Sequence, residues 1–252
     1  MAKAAAVAEI TIREKLGVMT PAESIEHLSL LIYGEPGAGK TFLAGTAQDH
    51  PDTSPVIIFD IEGGVTTLRR RQDIDVIQIR SIKELEVKLN ELANDTSGHY
   101  KTVVIDSLTE LQKLDMHDIM QEQYQKKPDT TDKDVPSQRE WGKSGEHVRK
   151  IVRFTRDLPM NSIFTALSMV DKDEGGVVTY YPDLPGKLRI HIPGFVSIVG
   201  FLTANEEKGE ILRRLQVAKT RRVIAKDRTD SLGQLIESPT IPLMWEKIQN
   251  GD

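Results

Sequence analysis

The sequence predicts an α/β fold with a mostly parallel central sheet, flanking helices and a late antiparallel extension. Strand-like runs rich in β-branched residues alternate with helix-like runs, which is typical of βαβ units. The strand-like runs are residues 29–34, 55–60, 75–80, 102–107, 162–167 and 196–203. Residues 55–60 and 102–107 are almost continuously apolar, which indicates central strands that are buried on both faces.

Helix-like runs fill most of the intervals between these strands. They cover residues 41–48, 83–94, 108–125 and 139–158. Residues 126–138 are polar and contain proline, which indicates a mobile loop rather than a domain boundary. Residues 171–194 are rich in Gly and Pro, which favours a hairpin or loop excursion beyond the sheet.

Length and composition indicate one main domain. A chain of 252 residues with 38% hydrophobic content can bury one sizeable core. We place this core at residues 28–238, after an N-terminal segment, residues 1–27, that either links protomers or frays. A C-terminal tail, residues 239–252, follows it. The chain has no cysteine, which excludes disulfides and thiolate zinc sites, and its six histidines lack metal-ligand spacing.

The sequence contains no secretory signal pattern and no apolar run of membrane-spanning length. We therefore expect a soluble, cytoplasmic protein with no membrane partner. The net charge is −5, but it is unevenly distributed. Residues 213–228 contain seven Lys or Arg and one Asp, a balance of +6 that leaves −11 for the rest of the chain. Such a basic stripe can follow phosphate groups even on an acidic protein.

The octapeptide GEPGAGKT at residues 34–41 fits the pattern G-x-x-x-x-G-K-[ST] between a strand and a helix. This placement predicts a P-loop, in which backbone N–H groups and a helix dipole bind the phosphates of ATP or GTP. We expect Lys40 to contact the β and γ phosphates and Thr41 to bind Mg²⁺. The predicted nucleotide-binding residues are Gly34, Glu35, Pro36, Gly37, Ala38, Gly39, Lys40, Thr41 and Phe42.

Carboxylates at two strand ends complete the expected site. Asp106 closes an apolar strand, as the second Mg²⁺ residue of a P-loop protein does, and we expect it to act through a water molecule. The alternative is a helix N-cap, a role that Ser107 can fill instead. Asp60 and Glu62 compete for the role of orienting the attacking water, and we favour Glu62 because it follows the strand end. A solvated loop carboxylate is the alternative for Glu62.

The order of these motifs resembles the RecA-like ATPase superfamily. The resemblance covers residues 28–238, and the segments PGKLR and AKDR narrow it to phage-encoded RecA-like nucleotide-binding proteins that are associated with single-strand annealing and recombination. It implies ATP and Mg²⁺ as cofactors and Glu62 as the residue that polarises water. It also implies that Lys226 and Arg228 act as a finger on the nucleotide of a neighbouring protomer.

One departure from the family concerns its polar sensor, usually Gln or His, at the end of the strand that reads SIFTALSMV here. This chain offers Thr165 and Ser168 instead. We therefore expect that binding of the γ phosphate affects a DNA-binding loop only weakly or through other residues. Ser168 is the candidate that replaces the usual sensor.

Contacts to DNA are expected from loops beyond the fifth strand and from the basic stripe. The candidates are Lys187, Arg189, Arg221 and Arg222. Tyr180 and Tyr181 either stack on bases or pack in a hairpin. Residues 69–71 form another basic run, which is either a phosphate contact or a solvated surface.

These observations favour a DNA-stimulated ATPase of phage recombination that binds single-stranded DNA as a homo-oligomeric ring or filament in the bacterial host cytoplasm. A single-strand DNA-binding protein is a possible partner. A second hypothesis is a nucleotide-gated loader or scaffold that binds a protein and no DNA. A small-molecule kinase is a weaker third hypothesis, because only residues 69–71 suggest an arginine-rich lid.

Overall fold

The computed structural model describes residues 12–18, 27–129, 132 and 134–251. The strands are β1 Ser29–Gly34, β2 Val56–Asp60, β3 Asp75–Gln78, β4 Thr102–Asp106, β5 Asn161–Lys172, β6 Val178–Pro182, β7 Ile198–Glu207, β8 Glu210–Gln216, β9 Lys226–Asp227 and β10 Leu235–Glu237. The helices are α1 Ile12–Leu16, α2 Lys40–Gly45, α3 Ile82–Ala93, α4 Leu108–Lys126, α5 Gln138–Arg156, α6 Leu188–Phe195 and α7 Ile241–Asn250.

The strands form one sheet in the order β10-β8-β7-β1-β5-β4-β2-β3. Its centre is parallel, from β7 through β1, β5, β4 and β2 to β3. The later strands β6, β8 and β9 each pair in the antiparallel sense with β5 or β7. The predicted α/β fold with a late antiparallel extension is therefore confirmed.

Helices cover both faces of the sheet because its central strands carry apolar residues on both sides. On one face, residues such as Leu31 and Phe59 belong to a core that includes buried residues of α3, α4, α5 and α6. On the other face, Ile32 and Ile58 pack with buried residues of α2 and α7. Since β1, β2 and β4 are parallel, the residues that follow them meet at one edge of the sheet. The register places Asp60 opposite Asp106 at this carboxyl edge.

Two segments differ from their predicted form. For residues 171–194 the sequence favours a hairpin or loop excursion; β5 and β6 do form a hairpin, but the helix α6 follows it in place of a loop. The sequence also predicts a tail for residues 239–252, yet α7 lies there with Ile241, Met244 and Trp245 buried. The N–H of Ile241 donates to the hydroxyl of Thr46 at 2.9 Å, which fixes α7 beside the end of α2.

Two predictions fall partly outside the described residues. Residues 1–11 and 19–26 account for most of the segment that we expect either to link protomers or to fray, and α1 lies in its described part. Residues 130, 131 and 133 lie in the predicted loop between α4 and α5. Within the described residues, no helix combines the length and the apolar character that a membrane span requires.

Candidate active site

The P-loop connects β1 to α2 and depends on its glycines. Gly37 and Gly39 have φ angles of 78° and 100°, in the left-handed region that disfavours other residues. A Cβ on Gly34 would lie 2.3 Å from the carbonyl oxygen of Leu202 on β7, so this position also has no room for a side chain. The loop therefore has the tight backbone turn that a phosphate-binding loop requires.

Lys40 opens α2 and is buried inside the loop. Its Nζ donates to the carbonyl oxygens of Gly34 and Glu35 at 3.1 and 3.0 Å. Burial lowers the pKa of Lys40, whereas the carboxylates of Glu62 and Asp106 act in the opposite direction. The amine thus lies within electrostatic reach of the predicted catalytic carboxylate Glu62 and of the predicted magnesium residue Asp106.

Thr41 and Asp106 come together as the predicted magnesium pair. The hydroxyl of Thr41 donates to Asp106 Oδ2 at 2.7 Å, and Asp106 is buried. A Cβ on Gly64 would lie 3.4 Å from both of these oxygens, so the adjacent loop leaves them little extra space. A hydroxyl and a carboxylate suit Mg²⁺, which normally takes only one or two protein ligands beside phosphates and water. These two residues therefore fit a nucleotide-bound Mg²⁺.

No group of three or more His, Cys, Asp or Glu residues forms a metal site within the described ranges.

The two competing carboxylates after β2 have different surroundings. Asp60 is buried, and its Oδ1 accepts the N–H groups of Gly63 and Gly64 at 2.8 and 3.2 Å. Burial raises the pKa of Asp60, and these two donors oppose the effect. Asp60 therefore shapes the loop that carries the exposed Glu62.

The loop is also attached to β4. The N–H groups of Ile61 and Glu62 donate to the carbonyl oxygen of Asp106 at 2.7 and 3.2 Å. The backbone of Glu62 is thus fixed directly beside the magnesium pair, while its side chain is exposed. This placement suits a carboxylate that acts on a water molecule at the γ phosphate.

Thr165 contacts the predicted magnesium residue Asp106 and does not lie at the end of β5, where the polar sensor is expected. It is fully buried on β5, and its hydroxyl donates to Asp106 Oδ1. Thr41 of α2 and Thr165 of β5 therefore each donate to a different carboxylate oxygen of Asp106. Ser168, the predicted sensor substitute, lies further along β5 and pairs with Pro182 of β6.

Two other residues near the site are not predicted to belong to it, although Arg213 lies in the basic stripe at residues 213–228. Thr109 at the start of α4 accepts the N–H of Leu167 and donates to the carbonyl oxygen of Asp183. Arg213 on β8 donates to the carbonyl oxygen of Ala38 in the P-loop. Both contacts join residues far apart in the chain, and a local motif cannot reveal them. Phe42, a predicted nucleotide contact, is half exposed on α2.

Lys226 and Arg228 lie beside the end of α6. Asp227 and Lys226 on β9 pair with Ile198 and Val199, at the start of β7. The P-loop instead follows the carboxyl end of the parallel strands, where Gly34 pairs with Leu202. The structure thus places these two cations away from the P-loop of their own chain.

The side chains of these two cations point to backbone carbonyls. Lys226 Nζ donates to the carbonyl oxygen of Pro193 at 2.6 Å, and Arg228 donates to that of Gly194 at 2.9 Å. Burial lowers the pKa of Lys226 to about 8, with a further contribution from the charge of Arg228. The carboxylate of Asp227 accepts N–H groups from Thr229, Ser231 and Leu232 instead.

The candidate DNA contacts are distributed around the β5–β6 hairpin. Arg189, predicted on a loop, lies in α6, because the helix begins directly after Lys187. Arg189 forms an ion pair with Asp171 at 2.8 Å and lies over the ring of Tyr181. Arg221 lies 3.8 Å from a carboxylate oxygen of Asp173. The side chains of Lys187 and Arg222 are exposed.

The two tyrosines and the run at residues 69–71 have structural partners. Tyr180 packs against Phe201 with ring centroids 4.8 Å apart, as the hairpin alternative predicts. Arg71 pairs with Asp49 and Asp73, while residues 69 and 70 are exposed.

Comparisons with known proteins gave a family match and a likeness to solved structures. A search of curated proteins found no match. A solved structure that the chain resembles is a KaiC-like protein from the hyperthermophilic archaeon Pyrococcus horikoshii OT3, with 15% identity and a TM-score of 0.47 over 78% of this chain and 80% of that one. A family model described as an AAA domain matches residues 26–229, which is most of the chain. The chain therefore belongs to this AAA domain family and carries a P-loop ATPase domain.

Proposed function

We propose that the protein hydrolyses ATP as an oligomer in which each nucleotide lies between two protomers, and that it binds single-stranded DNA in phage recombination. The oligomeric ATP site is supported by one observation: the residues expected to act on the nucleotide lie in two separate places in the chain. Lys40, Thr41, Glu62 and Asp106 meet at the P-loop, whereas Lys226 and its neighbour Arg228 lie at the opposite end of β7.

In the chain's own site, each residue has a defined task. Lys40 and the P-loop N–H groups bind the phosphates, and Thr41 and Asp106 hold Mg²⁺, which stabilises phosphate charge as a Lewis acid. Glu62 accepts a proton from the attacking water. Thr165 fixes the orientation of Asp106 through its hydrogen bond.

The chemistry of Lys226 and Arg228 supports a role in a second chain. Their hydrogen-bond acceptors are carbonyl oxygens, which orient a cation without neutralising its charge. By contrast, Arg71, Arg189 and Arg214 pair with carboxylates. A cation that remains unneutralised can stabilise the charge on the γ phosphate of a neighbouring protomer in the transition state.

A cleft between the starts of α5 and α6 supports the DNA part of the proposal. It has a volume of about 270 Å³, and Trp141, Arg149 and Lys187 line it. Trp141 is 42% exposed, so its ring is accessible to a base. Single-stranded DNA is bound by such combinations of an aromatic platform and basic side chains, and helix N-termini attract phosphates.

The alternative, a nucleotide-gated protein that binds a protein partner, has its own supporting observation. The tip of the β5–β6 hairpin carries Asp173 and Glu174, and Asp171 and Asp173 lie near Arg189 and Arg221. These carboxylates repel DNA phosphates and suit a basic protein surface. Nucleotide-dependent capture of a protein, without retention on DNA, would favour this alternative.

The DNA proposal is tested by measuring ATP turnover and oligonucleotide affinity at low salt, where phosphate contacts are strongest. We expect single-stranded DNA to bind and to raise turnover. Trp141→Ala with Lys187→Ala should weaken binding at least about tenfold, because stacking and a phosphate contact are both lost. Lys208→Ala, which removes an exposed charge on the β7–β8 turn, is the control. Absence of both binding and stimulation would refute direct DNA contact.

The recombination class is tested by an annealing assay. We expect the protein with ATP to accelerate the pairing of complementary single strands, and the Trp141→Ala, Lys187→Ala variant to lose this effect. Unchanged annealing rates in the presence of the wild-type protein would argue against the annealing role while leaving the ATPase in place.

A further inference from the structure

Two neighbouring arginines on β8 have different partners. Arg213 Nε donates to the carbonyl oxygen of Ala38 in the P-loop at 3.2 Å. Arg214 instead pairs with Glu207 and Glu237. Successive side chains of a strand point to opposite faces, so only the first of the two faces the P-loop.

The side chain of Arg213 also lies directly beside residue 39. A Cβ on Gly39 would lie 2.7 Å from Nε and 3.2 Å from Cδ of Arg213. The guanidinium and its stem therefore occupy the space beside the glycine. The left-handed φ angle of Gly39 requires a glycine, and the absence of a side chain lets Arg213 approach the loop backbone closely.

The contact acts on a peptide group of the phosphate-binding loop. The Ala38 carbonyl and the Gly39 N–H belong to the same planar peptide and point in opposite directions. With Arg213 on the carbonyl side, this N–H points away from Arg213. In a P-loop, the N–H groups cradle the phosphates. A cation on the carbonyl oxygen also polarises the peptide and strengthens its N–H as a donor.

The backbone of β8 holds Arg213 in this position. Arg213 pairs with Ala204 of β7, and its carbonyl oxygen accepts the N–H of Ser238 at 2.8 Å. Nearby, residues 35–38 border an open cleft of about 490 Å³ whose other wall is residues 201–206 of β7. The P-loop is open toward this cleft, so a hydrogen bond from the rigid sheet restrains a part of the loop that borders solvent.

We propose that Arg213 is a positioning residue for nucleotide binding, which orients the Ala38–Gly39 peptide toward the phosphates from within the same chain. This inference rests on the P-loop alone and needs neither oligomer formation nor DNA.

The test compares Arg213→Met, Arg213→Lys and Arg214→Met by titration with ADP and with ATP in the presence of Mg²⁺. Arg213→Met keeps the apolar stem but removes the donor, so we expect both dissociation constants to rise about tenfold. The KM for ATP should rise similarly, with kcat within about twofold of wild type. Arg213→Lys should recover part of the affinity, because it restores a cationic donor.

Arg214→Met is the matched control, since it removes the same charge from the next residue on the opposite face. We expect its nucleotide affinity to equal that of wild type. Thermal unfolding of each variant reports any loss of β8 stability. Equal losses of affinity in Arg213→Met and Arg214→Met, or an affinity of Arg213→Met within twofold of wild type, would overturn the proposal. Because ADP lacks the γ phosphate on which the proposed finger acts, failure of the composite-site proposal does not affect the ADP result.

Discussion

The two halves of the proposed site differ in how the chain holds them. Around Asp106, the hydroxyls of Thr41 and Thr165 and the loop that carries Glu62 are joined by hydrogen bonds within the chain. Around Lys226 and Arg228, two cations contact carbonyl oxygens at the end of α6. Burial and hydrogen bonds preorganise the first half, whereas the two cations of the second half are not neutralised by a carboxylate of the described residues. In the proposed oligomer, hydrolysis is therefore controlled by contact between Lys226 and Arg228 of one protomer and the P-loop site of another.

Arg228→Ala breaks the second half and should have the largest effect. We expect turnover to fall about 1,000-fold or more with ATP affinity close to wild type, because a finger contact stabilises the transition state rather than the bound substrate. Steady-state turnover and equilibrium titration measure the two quantities. Arg156→Ala is a matched control, since Arg156 also donates to a carbonyl at the end of α6 but pairs with Asp157. Unchanged turnover in Arg228→Ala would end the two-chain model.

Glu62→Gln breaks the first half and should have the next largest effect. Removal of the proposed base should lower turnover about 100-fold, because general base catalysis typically contributes about 10²–10⁴-fold. ATP affinity should be retained, since the P-loop is intact. A single-turnover assay with bound ATP distinguishes slow hydrolysis from weak binding. Hydrolysis at the wild-type rate would show that Glu62 is not the base, and the buried Asp60 would be the next carboxylate to test.

Much of the first half follows from local sequence, and the rest depends on strand order. The P-loop occupies eight consecutive residues, and Asp106 ends a strand that its apolar run predicts. Thr165 and Asp106 are 59 residues apart, so their contact exists only because β5 lies beside β4. The contact between Arg213 and Ala38 spans 175 residues and depends on the β7–β8 hairpin in the same way.

The segment PGKLR shows a second limit of local patterns. Its proline and glycine predict a loop, whereas the following apolar residues Leu188 and Ile192 are buried and stabilise α6. The turn signal is therefore correct for residues 185–187, and the burial of these two apolar side chains favours a helix directly after the turn. Likewise, α7 forms where the sequence predicts a tail, because Met244 and Trp245 pack on the core.

Thr165→Val tests whether the first half is held by burial and hydrogen bonds. The variant leaves Asp106 Oδ1 without its buried donor, so we expect a loss of about 1–3 kcal/mol in the free energy of unfolding and roughly tenfold slower turnover. Ser162→Ala on the same strand is the control, because the buried Ser162 hydroxyl has no hydrogen-bond partner among the described residues. Denaturant unfolding should separate the two variants clearly. Equal stabilities would mean that Thr165 contributes volume alone.

The pH dependence of turnover tests the charge of the second half and should show the smallest effect. The pKa of Lys226 is lowered to about 8, so Lys226 loses its charge as the pH rises through this value. A bound phosphate raises this pKa, and turnover should therefore decline at or above pH 8. Lys226→Arg keeps its charge in this range and should retain turnover at pH 9 better than wild type. Identical pH profiles would show that the charge of Lys226 is not used.

The most direct measurement is to mix Arg228→Ala with Glu62→Gln, each strongly impaired alone, and to record ATP turnover. One variant supplies an intact P-loop half, and the other supplies an intact finger. In a random oligomer of equal parts, about a quarter of the interfaces join the two intact halves, so roughly a quarter of wild-type turnover should return. A mixture no more active than the sum of its parts, under conditions in which the chains exchange, would contradict the composite site.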